Sequence, residues 1–399
     1  RVSLKIVAVG LALQLAIAAV LLYVPGSQWI FAKLTSVVEV LMEATLAGTT
    51  FVFGYIGGGP PPFEIDNPNN MVIFGLQALP LMLLLAALTS LLFYWKVLPA
   101  IIHGFSWLLR KTMNINGCEG VSAAANVFVG MIEAPLFIAP YIKGLTRSQL
   151  FTVMSCGMAT IAGTVMVLYA QILGNAFAGE SVLGHLLVAS LISPPAAILV
   201  AKVMVPETEH VEEVEPPIIS EARGSMDAIV QGIGNGTKLF IHVVATLIVF
   251  VALVYLVNVI LYQLPFFEGD RFNPATGGGA LQWMLGWIMA PVVWLIGVPW
   301  SEATTAGSLM GVKTVLNEFL AYLQLAGTGD ALSPRSRMIM VYAMCGFANF
   351  GSLGIMVGGL TALAPERRSE IVGLGLKTIV SGTIATLMTG AVIGAIGPF

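Results

Sequence analysis

Two carboxylates stand in stretches that are otherwise almost wholly apolar: Glu133, in Gly-Met-Ile-Glu-Ala-Pro (130–135), and Glu318, in Leu-Asn-Glu-Phe (316–319). A charge in an apolar membrane segment is costly, so it marks a substrate, ion or proton path unless it only caps a broken helix. Ionised, a carboxylate accepts and never donates, which suits the hydroxyls of a sugar. Two carboxylates could also run acid–base hydrolysis, but that chemistry needs a nucleophile or metal beside them. The chain has no HExxH, no Walker loop and no GxSxG, and its four histidines are scattered. Cys118, Cys156 and Cys345 lie far apart with no CxxC and no paired framework, and Cys156 and Cys345, in apolar runs, read as small buried hydrophobes. The chemistry pointed to is binding, not bond breaking.

The elements that hold these residues must be membrane helices. Of 399 residues 57% are hydrophobic and 10% charged, with a mean hydropathy of +0.90. A soluble domain carries about 25% charged residues, so a water-facing surface cannot be assembled here. A net charge of −3 offers no basic stripe and excludes a nucleic-acid polymer as partner. Crossing helices need about 20 apolar residues each, and the apolar runs are continuous, unlike the weak alternating strands of a membrane barrel. Eight spans are predicted: Leu4–Val24, Met71–Trp95, Val97–Arg110, Leu150–Leu173, Val182–Val205, Leu239–Leu264, Arg337–Leu363 and Ile371–Ile396. Leu4–Val24 has no small-residue cleavage site before Pro25 and reads as a span, not a signal peptide. A start at Arg1 rather than Met is expected to reflect a trimmed N-terminus. Gln28–Tyr55 mixes Lys33, Glu39 and Glu43 with apolar residues, which predicts a helix lying on the interface, broken after it by Gly57–Pro62.

Gly120–Tyr141 and Gly297–Leu325 are apolar but poorly made for crossing, since they hold Asn126, Glu133, Pro135 and Pro140, and Glu302, Lys313, Asn317 and Glu318. Such segments read as re-entrant hairpins whose broken backbone faces protein or a wet cavity. Each is followed by a similar pattern: Leu-Thr-Arg-Ser (145–148) then Cys156-Gly157, and Leu-Ser-Pro-Arg-Ser (332–336) then Cys345-Gly346. Paired interrupted segments in two halves point to a transporter with its site at the repeat interface. Placing Arg110, Lys111, Lys143, Arg147, Lys202, Arg223, Lys238, Arg367 and Arg368 in the cytoplasm leaves mainly Lys96, Arg271, Arg335 and Arg337 outside. The hairpins then enter from opposite sides, an inverted repeat, with both termini outside. The acidic Glu207–Glu221 stretch becomes a cytoplasmic loop in which His210 is merely solvated.

Gly-Val-Lys-Thr-Val-Leu-Asn-Glu-Phe-Leu-Ala-Tyr (311–322) resembles the signature of concentrative nucleoside transporters, Gly-x-Lys followed after three residues by Asn-Glu-Phe-x-Ala. Gly130-x-x-Glu133 and Phe347-Ala-Asn349-Phe-x-Ser352 resemble the family's other binding segments in the right order. The likeness runs from about the second span to the C-terminus. It implies an all-α polytopic fold of eight transmembrane helices plus two re-entrant hairpins, an interfacial helix, a homotrimer, and elevator-type movement of the hairpin-bearing part. The domains expected are scaffold helices with the interfacial helix over 1–113, a first hairpin repeat over 114–205, the acidic loop with a scaffold helix over 206–282, and a second hairpin repeat over 283–399. By resemblance Glu318, Asn349 and Ser352 hold the ribose, Gly130, Met131, Ile132, Glu133 and Val165 surround the base, and Phe347 lies beside the sugar.

The resemblance also implies sodium (Na+) as coupling ion, held by the Asn126 side chain, the carbonyls of Val129 and Ile161, and Thr160. Hard oxygen ligands suit a small alkali cation. Proton-coupled relatives tend to carry Ser where this chain has Asn126, so proton coupling through Glu133 or Glu318 is the alternative within transporters. Many relatives have Gln and then Ser or Thr at the positions of Met131 and Ile132. Gly130-Met131 with Thr164-Val165 resembles purine-preferring members. The expected function is sodium-coupled nucleoside uptake across a bacterial inner membrane. An intramembrane enzyme acting on lipid or nucleotide is the alternative from another class.

Overall fold

Apolar composition and frequent helix punctuation give a chain that is helical throughout, without strands among its described residues. The computed structural model describes residues 4–64, 73–174, 177, 181–209, 214, 216–218, 220, 222–276 and 279–397, so His210 and part of the acidic stretch around it lie outside the described residues. The helices in order are α1 (Leu4–Tyr23), α2 (Pro25–Phe53), α3 (Phe74–Gln77), α4 (Leu81–Tyr94), α5 (Val97–Met113), α6 (Gly117–Ala125), α7 (Glu133–Leu136), α8 (Arg147–Ala159) and α9 (Gly163–Gly174). They continue as α10 (Val182–Met204), α11 (Ser225–Tyr262), α12 (Ala280–Leu295), α13 (Trp300–Val315), α14 (Glu318–Ala326), α15 (Pro334–Ala343), α16 (Phe350–Leu363) and α17 (Arg368–Ile396).

Among the described residues, seven helical stretches are long and apolar enough to cross a membrane: Leu4–Tyr23, Pro25–Gly57, Phe74–Tyr94, Arg147–Gly174, Val182–Met204, Ser225–Tyr262 and Pro365–Ile396. The second of these was expected to lie on the interface. Pro25 starts α2 at its first position and Gly54, at φ 62°, stops it, leaving 29 unbroken helical residues. Lys33, Glu39 and Glu43 are exposed along it and do not interrupt it. The third predicted span goes the other way. α5 has 17 residues, about 25 Å of helix against a hydrocarbon core of about 30 Å. Its buried side is the single stripe Leu98, Ile102, Ser106, Leu109 and Met113, while Ile101, His103, Trp107 and Lys111 are exposed. That one-sided burial is the pattern of an amphipathic helix, whereas α2 is long and apolar enough to cross.

Two spans predicted as continuous are broken. Leu150–Leu173 divides into α8 and α9 at Thr160, whose backbone is extended (φ −116°, ψ 166°). Arg337–Leu363 divides into α15 and α16 across 344–349, where the Asn349 side chain accepts from the Ser352 N–H at 2.7 Å and starts a new helix. Apolar composition alone cannot reveal such breaks, because the unwound residues are as apolar as the turns beside them. α12 falls outside the eight predicted spans. It meets α13 at a 115° bend, and their backbones touch at Gly286 and Gly307.

Where the hairpins are expected, the chain forms broken helix pairs, α6–α7 and α13–α14. Each is followed by a helix with a hydroxyl cap, Thr146 on α8 and Ser333 on α15, then by a break and a second half-helix. An arginine ties each unit down. Arg367 donates to the carbonyls of Ile142 (2.9 Å) and Leu145 (2.6 Å) beyond the first hairpin. Arg335 donates to those of Gly297 (3.1 Å) before the second and Gly394 (2.7 Å) at the end of α17. Most of the largest apolar core lies between these units, on α9, α10 and α13–α15.

Candidate functional site

Glu318 owes its position to its neighbour. Asn317 caps α14, its side chain accepting from the Leu320 N–H at 2.9 Å, which makes Glu318 the first helical residue. A helix N-terminus favours a carboxylate there. Glu318 is 5% exposed. Its Oε1 accepts from the Tyr169 hydroxyl at 2.6 Å, and its Oε2 from the Asn349 side-chain amide at 2.9 Å. Asn349 spends its own oxygen on the Ser352 N–H, so one run of hydrogen bonds links α9, α14 and the start of α16. Glu318, Asn349 and Ser352 are thus brought together, all buried.

The residues of hairpin one are distributed differently. Met131 is buried, and a Cβ on Gly157 of α8 would lie 3.1 Å from its own Cβ. Ile132 is exposed and faces Gly359 of α16. Glu133 is exposed, with its carboxylate folded back over Gly130. It is not joined to Glu318. Val165 is buried on α9, and Phe347 is half-buried, packed against two apolar cores.

Three backbone breaks meet beside Asn126. The Gly163 N–H donates to the carbonyl of Phe128 at 3.2 Å, and the Phe347 N–H to that of Thr160 at 3.2 Å. Asn126 is 1% exposed and donates to the Ser122 carbonyl at 2.9 Å, yet its Oδ1 has no partner. Leaving such a buried acceptor unpaired costs about 1–3 kcal/mol. The absent Cβ of Gly157 keeps space open in front of it, since one there would lie 3.8 Å from Oδ1. Thr160 donates its hydroxyl proton to the Cys156 carbonyl at 2.9 Å, which leaves the oxygen's lone pairs unspent. An unsatisfied amide oxygen, a hydroxyl oxygen and main-chain carbonyls are an all-oxygen donor set. They fit a sodium ion.

Comparison with known proteins decides the class. Residues 1–56 match the N-terminal part, and residues 185–394 the C-terminal part, of the family described as Na+ dependent nucleoside transporter; residues 75–176 match a gate region described as nucleoside recognition. This chain is a member of the Na+-dependent nucleoside transporter family. It is 36% identical to the uncharacterized transporter YutK of Bacillus subtilis, over 99% of this chain and 93% of that protein. It is 33% identical to the nucleoside permease NupC of Helicobacter pylori, over 96% and 89%. Its fold is similar to the structure of CNTnw in an inward-facing substrate-bound state, with a TM-score of 0.88, 35% identity, and coverage of 98% of this chain and 92% of that one. Membership makes the protein a multi-pass membrane transporter of nucleosides with sodium as coupling ion, and not an enzyme.

In this member of the family, sequence reasoning passed over two buried groups beside Glu318. Tyr169 lies four residues after Val165, one turn along the same face of α9. A tyrosine amid apolar residues needs a partner for its hydroxyl, and that requirement was the available signal. Lys313, in the transporter signature itself, is wholly buried with its Nζ unpaired, a placement that its position in an apolar helix did not disclose.

Proposed function

We propose that this protein is a sodium/nucleoside symporter of a bacterial inner membrane that takes the ribose on Glu318, Asn349 and Ser352. The carrying observation is the Glu318 carboxylate, buried and held by a donor at each oxygen. A carboxylate offers about four acceptor positions, so each oxygen keeps room for one sugar hydroxyl. Asn349 still has an amide proton to give, and Ser352 a hydroxyl. The base lies against Gly130, Met131, Ile132, Glu133 and Val165, with Phe347 beside the sugar.

The sodium ligands in this reading are Asn126, Thr160 and the carbonyls of Val129 and Ile161. Bound there, sodium would supply the positive charge that satisfies Asn126 Oδ1. The chain's own part is to hold hairpin one against the broken helices through the Phe128–Gly163 and Thr160–Phe347 hydrogen bonds. An ordered hairpin one then presents Gly130–Glu133 to the base. Residues 114–205 and 283–399, the two repeats in inverted orientation, move together as an elevator against a scaffold formed by 1–113 and 206–282, within a homotrimer. Met131 and Ile132 give the base an apolar wall that leans toward purines.

The test is uptake into proteoliposomes of the purified protein, with a panel of nucleosides and with sodium or proton gradients imposed separately. Concentrative uptake of chemically unchanged nucleoside driven by sodium alone is expected. Uptake at full rate on a proton gradient without sodium would replace this reading with proton coupling.

A further inference from the structure

Glu318 has a partner that contributes no group to the proposed ribose contacts. The Tyr169 hydroxyl donates to Oε1 at 2.6 Å, shorter than the 2.9 Å from Asn349 to Oε2. Tyr169 is 1% exposed, and its ring sits 4.8 Å from that of Tyr322 and 6.0 Å from that of Phe319. Both neighbours lie on α14, the helix that begins with Glu318. The phenol is therefore clamped to the element whose carboxylate it holds, although its own backbone belongs to α9 in the other repeat. A tyrosine has only two side-chain torsions to fix, so such a clamp defines the hydroxyl position closely.

We infer that Tyr169 is a positioning residue: by occupying one acceptor position of Glu318 it fixes the carboxylate plane so that each oxygen presents one lone pair to one of two neighbouring ribose hydroxyls. Asn349 alone would hold a single oxygen and leave the carboxylate free to turn about its terminal torsion, which is broad for such groups. With both oxygens held, a vicinal diol meets two prearranged acceptors, while a deoxy sugar leaves one of them unpaired. Discrimination between ribose and deoxyribose then depends on α9 as well as on hairpin two and the start of α16. The inference rests on the reading that Glu318 holds the ribose.

Tyr169→Phe removes the hydroxyl and keeps the ring contacts. KM is measured in proteoliposomes at saturating sodium for a ribonucleoside and its 2′- and 3′-deoxy analogues, in wild type, Tyr169→Phe, Glu318→Gln and the double variant. Tyr169→Phe is expected to raise the ribonucleoside KM roughly tenfold, the loss typical of one hydrogen bond to a charged group. The deoxy analogues should change far less. Added to Glu318→Gln, it should change KM by less than about twofold, because two residues acting through one contact are not additive. Equal loss for ribose and deoxyribose, full additivity, or a matching change in sodium activation would each overturn the role of Tyr169. If Glu318→Gln itself leaves ribose discrimination intact, the ribose reading falls and Tyr169 with it. If only Tyr169→Phe leaves it intact, the ribose reading stands and the positioning role falls.

Discussion

The main-chain N–H of Phe347 donates to the carbonyl of Thr160 at 3.2 Å, across 187 residues of sequence. Each partner sits where a helix is interrupted, and each would otherwise leave a polar backbone group unpaired in an apolar setting. The bond therefore ties the segment that leads into Asn349 to the segment that carries the proposed sodium ligands. The Phe128–Gly163 bond extends the tie to hairpin one. Each break is thus joined to the next by one main-chain hydrogen bond.

Asn126→Ala should separate the ion from the nucleoside. It deletes the unpartnered Oδ1 while disturbing little else, since the lost amide donor served only the Ser122 carbonyl. We expect the sodium concentration for half-maximal uptake to rise about tenfold, one charge-assisted contact being worth about 1.5–3 kcal/mol. Nucleoside affinity at saturating sodium should fall much less. Sodium titration of uptake checks this, and an unchanged sodium curve would remove Asn126 from the site.

Glu318→Gln replaces two acceptor oxygens by one oxygen and one donor. The amide oxygen can still accept from Asn349, but its NH2 then faces the Tyr169 hydroxyl, which must turn to accept, so only one acceptor oxygen remains for the sugar. Ribonucleoside affinity should fall at least about tenfold, with a smaller loss for analogues lacking the contacted hydroxyl. Competition of ribo- and deoxyribonucleosides for uptake measures this. Equal losses for both would rule out a sugar contact.

What could be read from the sequence follows from contrast. Glu318 and Asn126 stand out as polar groups in apolar runs, and both broken helix pairs were expected from the same contrast. Asn349 was singled out by the family resemblance. Tyr169 was not legible, since a tyrosine in an apolar helix looks like packing until its hydroxyl is seen 2.6 Å from a carboxylate. The breaks at Thr160 and before Asn349 were hidden for the opposite reason, the absence of any fall in hydropathy. α2 differs from the expectation in one respect: Lys33, Glu39 and Glu43 lie exposed along an uninterrupted helix that is long and apolar enough to cross a membrane.

Lys313→Met tests a buried charge. Lys313 is wholly buried, its Nζ makes no hydrogen bond, and it and Glu318 interact through their charges. An ammonium without hydrogen bonds is expensive to bury, and methionine fills a similar space without that cost. The substitution also leaves the Glu318 carboxylate buried without its compensating charge, so the variant is expected to melt below wild type and to bind nucleoside more weakly. Thermal unfolding in detergent and uptake kinetics together check it. Lower stability with unchanged affinity would assign Lys313 a purely structural part.

Base preference depends on the wall made by Met131 and Ile132. Met131 is buried against Gly157, and Ile132, which is exposed, faces Gly359, so the two side chains contact different half-helices. Neither offers the hydrogen bonds that an amide and a hydroxyl would give a pyrimidine edge. A thioether adapts to a larger ring, and an apolar wall discriminates only weakly between ligands. Inosine, guanosine or adenosine should therefore compete best, with uridine carried poorly but not excluded. Met131→Gln combined with Ile132→Thr should move the order toward uridine and cytidine by about 1–2 kcal/mol, or roughly tenfold in relative affinity, if both new groups find the base. Glutamine matches methionine in length and would lie against Gly157, near Asn126. Sodium activation should accordingly be measured on the same variant: a shift there, with base preference unmoved, would mean that residue 131 serves the ion side of hairpin one. Uridine outcompeting every purine nucleoside in wild type would show that Met131 and Ile132 do not set the preference.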